Sequence, residues 1–470
     1  MYEPKIIAYL CTWCSYTGAD TAGIARLKSP ANFRSIRVPC SGRVSPELIM
    51  RTFDQGADGV LVLGCHIGEC HYESGNHRTA KRIPVLKALL EFTGLEPERL
   101  RLDWVSASEG ERFSKIVTEF TETVRRLGPN LWRVKNRDYP YKPVYTKPYR
   151  EKTQAQFNVH EMQANTQTMR DIARELLSSG QVTCVIGFET TPRNRTRPVF
   201  IYHPEEVDRL IWNQDCTHNL TTYLNHKLHP IANKRDDNQQ QRIAVVVKPC
   251  DERAINIQLA EKRFERDQVH LIGMVCQGVS EIPRSTGKTS LGRTLSLQDR
   301  CLECSERTPY FADYVVGKAK ADTFASSPDG QRQKWIAEIK GKSPADRMEF
   351  WLRQFDRCIR CYACRQACPV CDCPTCLYER DDSLWVGAAL GWEGVGLNEK
   401  RAFHLGRAYH LAGRCIGCDE CERACPMEIP ISLLNQMIAE ELAESFGYQA
   451  GRTSKPSPLV TILSGEEVVP

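Results

Sequence analysis

Residues 358–369 read CIRCYACRQACP and residues 415–426 read CIGCDECERACP, so one cysteine pattern occurs twice. In each segment the spacing is Cys-x2-Cys-x2-Cys-x3-Cys-Pro. Three cysteines on such a tight loop can bind three corners of an Fe4S4 cube, while the fourth typically binds the partner cube. The proline fixes the backbone after the fourth cysteine, which suits a sharp exit from the loop. The repeat therefore predicts two 4Fe-4S clusters whose ligands cross between the runs.

The crossed pattern gives each cluster three ligands from one run and one ligand from the other. The first cluster is predicted to be bound by Cys358, Cys361, Cys364 and Cys425. The second is predicted to be bound by Cys415, Cys418, Cys421 and Cys368. A structural zinc scaffold is disfavoured, because zinc sites usually have two separated cysteine pairs. The sequence assigns no role to three further thiols, Cys371, Cys373 and Cys376.

Length and composition predict a multidomain redox protein. The chain has 470 residues, 22 cysteines and a formal net charge of +5. We find no signal peptide and no apolar run long enough to span a bilayer, so a cytoplasmic protein is expected. In such a chain, clustered cysteines indicate metal binding rather than a disulfide framework. The nearly balanced charge, without a basic stripe, argues against nucleic acid as a partner.

The order of apolar and amphipathic segments predicts a multidomain α/β plus α+β architecture. Residues 1–128 show a βαβ pattern, which predicts a parallel-sheet α/β domain with its own core. Residues 129–160, rich in Pro, Tyr, Lys and Arg, predict a linker or strap at which this domain should be separable. Residues 161–342 predict an α/β middle domain. Residues 343–450 predict a bacterial dicluster ferredoxin-like domain with a helical insert, and residues 451–470 a C-terminal tail.

Five cysteines of the first domain lie at or just beyond predicted strand ends: Cys11, Cys14, Cys40, Cys65 and Cys70. The carboxyl ends of the strands of a doubly wound parallel sheet converge on one crevice. Cysteines placed there should meet although they are far apart in sequence. A common metal site is therefore favoured over separate thiols buried in the core.

The sequences around these cysteines are CTWCSY at 11–16, VPCSGRV at 38–44 and GCHIGECHY at 64–72. They resemble the delta (iron-sulfur) subunit family of methyl-viologen-reducing hydrogenases over essentially the whole first domain. The resemblance implies one 2Fe-2S cluster and electron transfer to the flavin-containing A-type component of heterodisulfide reductase. It implies four ligands among the five cysteines and leaves open which one is excluded. His71 is expected beside the site and not as a ligand.

A third set of cysteines lies in the middle segment. Cys250 and Cys276 each follow a predicted strand, and Cys301 and Cys304 form a Cys-x2-Cys pair. Four thiols in this placement suit a further 4Fe-4S cluster. Cys216 is a fifth candidate without an assigned role.

The middle segment resembles the beta-subunit family of deazaflavin-reducing hydrogenases and related formate dehydrogenases in its cysteine positions and in residues 205–208, EEVD. The resemblance implies a cluster and, in many members, FAD. No G-x-G-x-x-G fingerprint accompanies it, so flavin binding is left open. Lys248, Asp251 and Arg253 either line an anion-binding pocket at a helix N-terminus or form a solvated first turn.

These features predict an iron–sulfur electron-transfer subunit. The expected partners are a heterodisulfide reductase A-like flavoprotein and a donor hydrogenase or formate dehydrogenase subunit. Whether such a complex bifurcates electrons is left open. The alternative is a flavin-containing oxidoreductase that itself acts on a deazaflavin, nicotinamide or formate-derived donor. No constellation of nucleophile, base and oxyanion donors is present in the sequence, so no residue is assigned a catalytic role.

Overall fold

The computed structural model describes residues 2–132, 154–155, 157–192, 195–228, 241–281, 295–318, 330–374, 376–379 and 396–459. The first segment contains the strands β1 (Ile6–Cys11), β2 (Phe33–Val38), β3 (Gly59–Gly64) and β4 (Leu100–Trp104). Its helices are α1 (Ser15–Ile24), α2 (Pro46–Asp54), α3 (Gly75–Phe92) and α4 (Gly110–Leu127). The strands form a parallel sheet in the order β2-β1-β3-β4, which confirms the predicted parallel-sheet domain.

Local sequence accounts for these elements. Strand β3 is apolar apart from its terminal glycines and buried along its whole length, as expected when helices cover both faces of a parallel sheet. Helix α2 begins where the Ser45 hydroxyl accepts a hydrogen bond from the Leu48 amide at 3.2 Å. Pro46 occupies the first turn, where its missing N–H costs no hydrogen bond.

The two faces of this sheet are buried in different ways. One face packs against α1 and α4 in a core that lies wholly within the first segment. The other face belongs to a core that continues into the C-terminal segment, where it includes Trp351 and Leu434. The Trp351 indole donates to the carbonyl of Phe92 at 3.1 Å. The expected core of residues 1–128 is present on the face covered by α1 and α4. On the other face, C-terminal helices pack against α2 and α3, so that core extends beyond the first segment.

The middle segment has a mixed sheet. It contains β5 (Gln154–Ala155), α5 (Val159–Ser178), β6 (Cys184–Thr190), β7 (Thr196–Ile201), α6 (Thr221–Leu228), β8 (Ile243–Val247), α7 (Pro249–Ala260), β9 (Val269–Met274), β10 (Leu295–Ser296), α8 (Asp299–Leu302) and β11 (Tyr314–Val316). The main sheet has the order β11-β9-β8-β6-β7, and only the β6–β7 pair is antiparallel. Strands β5 and β10 form a separate antiparallel pair.

The described part of the C-terminal segment consists of helices joined by loops. Its helices are α9 (Gln331–Lys340), α10 (Pro344–Asp356), α11 (Ala363–Gln366), α12 (Leu397–His410), α13 (Glu420–Ala424) and α14 (Ile431–Phe446). We find no strand in residues 330–374, 376–379 and 396–459, so the α+β expectation for this domain is not met there. Helix α12 belongs to the predicted helical insert, of which residues 380–395 lie outside the described chain. Within the described ranges, no helix has the length and apolar character that crossing a membrane requires.

The predicted linker and tail are described only in part. Residues 133–153 of the linker and 460–470 of the tail lie outside the described residues. The chain packs against α7 where the tail begins, because the Arg253 guanidinium donates to the carbonyl of Ala450, the residue before the tail, at 2.8 Å. The Asn256 amide donates to the Gly451 carbonyl at 3.2 Å. The tail therefore contacts the middle segment at its start, whereas Leu459 packs in the core shared by the first and last segments.

Candidate metal centres

The five cysteines of the first domain converge at the carboxyl edge of its sheet. The Sγ atoms of Cys11, Cys14 and Cys65 lie within 4.8 Å of one another. Cys40 and Cys70 form a second pair, with 3.7 Å between their sulfurs. The Cys11 thiol raises the pKa of Cys40, so the two groups adjoin. The structure therefore brings together all five thiols that the strand ends placed in one crevice.

Hydrogen bonds among these thiols shift their pKa values in opposite directions. Bonds from the thiols of Cys11 and Cys14 lower the pKa of Cys65 to about 4. The pKa of Cys14 is raised because its thiol donates to Cys11 and Cys65. The thiolate is the form of cysteine that binds a metal. One member of the set is therefore already favoured as the thiolate, and its neighbours can follow when a metal replaces their protons.

Gly75, the first residue of α3, makes room for this site. A Cβ atom there would lie 2.2 Å from the Cys40 sulfur and 3.2 Å from the Cys70 sulfur. A space enclosed by sulfur ligands and kept clear by a glycine fits an iron–sulfur cluster. The His71 ring stacks on Trp13, with 3.8 Å between ring centroids, in keeping with a place beside the site. Sequence reasoning missed Gly75, because one glycine at a helix start is not distinctive.

The four predicted cysteines of the middle segment line one cavity of about 180 Å³. Cys250 lies in the first turn of α7, and Cys276 follows β9. Backbone amides face two of the sulfurs: the Gly278 amide donates to Cys276 and the Val279 amide to Cys301, each at 3.4 Å. Four thiols around one cavity, with amide donors to sulfur, fit a 4Fe-4S cluster.

Burial favours the protonated form of Cys250 and Cys276 in the absence of metal. Desolvation raises the pKa of Cys276 to about 12 and raises that of Cys250 well above its ordinary value. Metal binding must therefore release protons from this cavity. The fifth candidate, Cys216, is fully buried in the core of the middle sheet, where it accepts from the Asn213 amide at 3.4 Å. It does not line the cavity.

The residues at the start of α7 are buried and paired. The Lys248 ammonium lies 2.9 Å from the Asp251 carboxylate, and their side chains are 2% and 0% exposed. The ammonium also donates to the His218 carbonyl at 2.7 Å. The solvated-turn interpretation is therefore wrong for these two residues. Lys248 and Arg253 line the cysteine cavity, which leaves the anion-pocket interpretation standing.

The two cysteine loops of the C-terminal segment share one backbone shape. Positive φ angles occur at Arg360 (53°) and Tyr362 (57°) in the first loop. The equivalent residues of the second loop, Gly417 and Asp419, have φ angles of 74° and 51°. Three of these four residues are not glycine, and left-handed backbone is unfavourable for them. Such strain at equivalent positions is typical of backbone shaped around a bound group.

The fourth cysteine of each run lies beside the opposite loop. Cys425 packs in one apolar cluster with Cys358 and Cys364. Cys368 lies in another cluster beside Cys415. The Cys368 thiol is also among the charges that raise the pKa of Cys415, after burial itself. The packing of Cys425 agrees with crossed ligation, whereas Cys421 of the second predicted set packs in the same cluster, so the crossed assignment stays a prediction.

Side chains of α14 and loop amides donate to the sulfurs of these runs. The Gln436 amide donates to Cys415 at 3.2 Å and the Asn435 amide to Cys421 at 3.8 Å. The Arg360 backbone amide donates to Cys358 at 3.4 Å. Donors of this kind stabilise thiolates and clusters. Sequence reasoning missed Asn435 and Gln436, because neither lies near a cysteine in sequence.

The three thiols without a predicted role lie in different surroundings. Cys371 packs beside Cys368, Cys376 packs in the cluster that contains Cys358, and Cys373 is exposed. They do not form a compact group of metal ligands within the described residues. Among the predicted ligands, Cys361 is also exposed, so the first loop reaches the protein surface.

Two segments of the chain match known families. Residues 6–128 match the family model "Methyl-viologen-reducing hydrogenase, delta subunit", and residues 357–430 match "4Fe-4S dicluster domain". Over 128 residues, 27% of this chain, the first segment is 50% identical to the D-type iron-sulfur subunit of an F420-non-reducing hydrogenase from Archaeoglobus profundus and covers 93% of it. A counterpart from Methanococcus voltae is 45% identical over 128 residues, also 27% of this chain, with 89% of it covered.

A longer relative carries a similar segment. Over 126 residues, again 27% of this chain, the first segment is 49% identical to the A-type subunit of the ferredoxin:CoB-CoM heterodisulfide reductase from Methanosarcina mazei. The match covers 16% of that protein. These findings confirm the resemblances expected for the first and last segments. The middle segment lies outside these matches, so its resemblance stays a prediction.

Proposed function

The chain belongs to the family of methyl-viologen-reducing hydrogenase delta subunits through residues 6–128, and from this we propose that it is an iron–sulfur electron-transfer subunit of a hydrogenase-like or heterodisulfide-reductase-like complex. The observation that carries the proposal is the gathering of cysteines into separate sites in all three segments. Clusters bound at these sites would supply one-electron transfer, while the protein positions them and tunes their potentials.

We propose that the first domain holds a 2Fe-2S cluster through four of its five cysteines and contacts an A-type flavoprotein. Trp13 and Tyr72, next to Cys14 and near Cys70 in sequence, are 50% and 52% exposed. Exposed aromatic residues are enriched at protein interfaces. The similar segment in Methanosarcina mazei is part of an A-type heterodisulfide reductase chain, which supports contact with such a protein.

The packing of the segments supports an order of sites. Tyr378, which packs in the same cluster as Cys358, is buried close enough to Glu47 of the first domain for that carboxylate to raise its pKa, after burial itself. Cys418 of the second loop lines the cavity of the middle segment. We propose that electrons pass from the middle site to the Cys415 loop, then to the Cys358 loop, and then to the first domain. A donor hydrogenase or formate dehydrogenase would dock near the middle site.

Removing one thiol of the middle cavity is expected to remove a cluster. We predict that Cys276→Ser in the full chain lowers the bound iron and acid-labile sulfide by about four atoms each, since a 4Fe-4S cluster contains four of each. The measurement is iron and sulfide analysis of anaerobically purified protein. Cys216→Ser is the matched control, because this buried thiol does not line the cavity. Equal metal content in Cys276→Ser and the unmodified chain would contradict a middle cluster.

The proposed exit through the first domain is tested by Cys65→Ser. We expect electron transfer to an A-type flavoprotein to fall to background, because Cys65 is one of the three first-domain thiols whose sulfurs lie within 4.8 Å of one another. Reduction of the C-terminal sites by a dye should persist. Stopped-flow absorbance of the partner flavin, after mixing with dye-reduced protein, measures the transfer. Transfer at the full rate would show that another surface, such as that near the exposed Cys361, makes the contact.

A further inference from the structure

Arg407 is a buried cation between the two cysteine runs of the C-terminal segment. It lies on α12 and is 3% exposed. One terminal nitrogen, Nη2, donates to the Cys364 carbonyl at 2.9 Å. The Nε and Nη1 groups are buried and have no hydrogen-bond partner within the described residues. Buried polar groups are almost always paired, so these two donors require an explanation.

The charge of Arg407 also lacks a carboxylate partner within the described residues, whereas two other buried arginines have one. Arg300 pairs with Glu420 at 3.0 Å, and Arg414 pairs with Asp372 at 2.9 Å. No carboxylate of the described chain forms an ion pair with Arg407. An uncompensated guanidinium in the protein interior is strongly unfavourable, because it has lost its hydration without gaining a counter-charge. An anion is therefore expected beside it.

The charge of Arg407 interacts with thiols of both cysteine runs. Burial opposes the charged form, yet the pKa of Arg407 is raised by the thiols of Cys364, Cys368 and Cys421. Cys364 belongs to the first predicted ligand set, whereas Cys368 and Cys421 belong to the second. The hydrogen bond to the Cys364 carbonyl places the guanidinium beside the first set, and its charge interacts with thiols of both sets. Each 4Fe-4S site with four thiolates is anionic, which supplies the missing counter-charge.

We propose that Arg407 is a positioning residue shared by the two C-terminal clusters, where it compensates the charge of both and donates Nε–H and Nη1–H to their sulfur atoms. The proposal rests on the presence of the two clusters. Reduction adds negative charge, which a buried cation stabilises. Arg407 therefore raises both reduction potentials together, an effect that a purely structural side chain would not have.

The test is a redox titration of the anaerobic full-length protein followed by electron paramagnetic resonance. We expect Arg407→Gln to lower the reduction equilibrium constant of both C-terminal clusters by about tenfold, which is about 59 mV for a one-electron couple. Arg407→Lys keeps the positive charge and is expected to shift both reduction potentials by less. Lys340→Gln on α9 is the control and should shift neither reduction potential. This lysine is exposed, and its ammonium lies 3.9 Å from the Glu440 carboxylate.

Each outcome decides the proposal. Assembled clusters with unchanged potentials in Arg407→Gln, or a shift of only one cluster, would overturn it. Loss of both clusters in Arg407→Gln, with both kept in Arg407→Lys, would support it, since the charge would then be what holds them. Loss in both variants would overturn it, because shape and not charge would be required. Absence of the clusters from the unmodified chain would instead refute the proposed function.

Discussion

Replacing Cys425 with serine is expected to remove the cluster bound by the first cysteine run and to spare the cluster of its own run. The reason is spatial, because Cys425 packs with Cys358 and Cys364. Electron paramagnetic resonance of the reduced, anaerobically purified variant, with iron and sulfide analysis, measures the result. Serine retains the shape of cysteine but is a poor ligand for iron, so the fold should persist while one site fails.

Reference variants identify which cluster is lost. Cys361→Ser marks loss of the first cluster, and Cys415→Ser marks loss of the second. Cys425→Ser should reproduce the spectrum of Cys361→Ser, and the mirror variant Cys368→Ser should reproduce that of Cys415→Ser. If Cys425→Ser instead loses the same cluster as Cys415→Ser, each run binds its own cluster and the crossed assignment fails.

The largest expected effect on stability is at the junction of the first and last segments. Arg401 of α12 forms a buried ion pair with Asp54, and the two side chains are 2% and 4% exposed. Its guanidinium lies 4.4 Å from the Trp132 ring centroid and donates to the Trp132 carbonyl at 2.6 Å. Arg401→Ala leaves the Asp54 charge buried and unpaired, so we expect the free energy of unfolding to fall by about 3–5 kcal/mol. Urea denaturation followed by tryptophan fluorescence measures it.

The double variant separates pairing from packing. Burial raises the pKa of Asp54 although Arg401 acts to lower it, so desolvation outweighs the attraction. Replacing both partners with apolar residues, as in Arg401→Met with Asp54→Leu, should therefore cost less than Arg401→Ala alone. A double variant as unstable as the sum of the two single changes would contradict a coupled pair. The loss would then belong to packing around Trp132.

Regular local patterns made much of the fold predictable. The βαβ pattern of residues 1–128 predicted the parallel sheet of the first segment, because short apolar runs between amphipathic helices favour such a sheet. The antiparallel strand β7 and the short edge strand β11 carry weaker patterns and were not predicted. The helical character of the last segment was predicted only for the insert, since cysteine loops have no apolar period.

Contacts between distant segments could not be read from the sequence. The separability of the first domain stays a prediction, but the sequence did not indicate that helices more than two hundred residues later pack against α2 and α3, as Trp351 does at Phe92. An amphipathic pattern indicates that a face is buried and does not name what buries it. The same limit applies to Lys248 and Asp251, whose charges suggest solvent although the pair is buried.

By itself, the sequence determined the chemistry of this protein: cysteine runs spaced for clusters, and five cysteines at strand ends that had to converge. Ligand spacing and strand periodicity are patterns over a few residues, so they can be recognised in the amino-acid sequence. Only the tertiary structure decided that Cys425 packs with Cys358, that the middle cavity reaches Cys418, and that Arg407 pairs with no carboxylate of the described chain. Packing and charge compensation depend on which distant surfaces meet. Only the complete fold establishes these contacts.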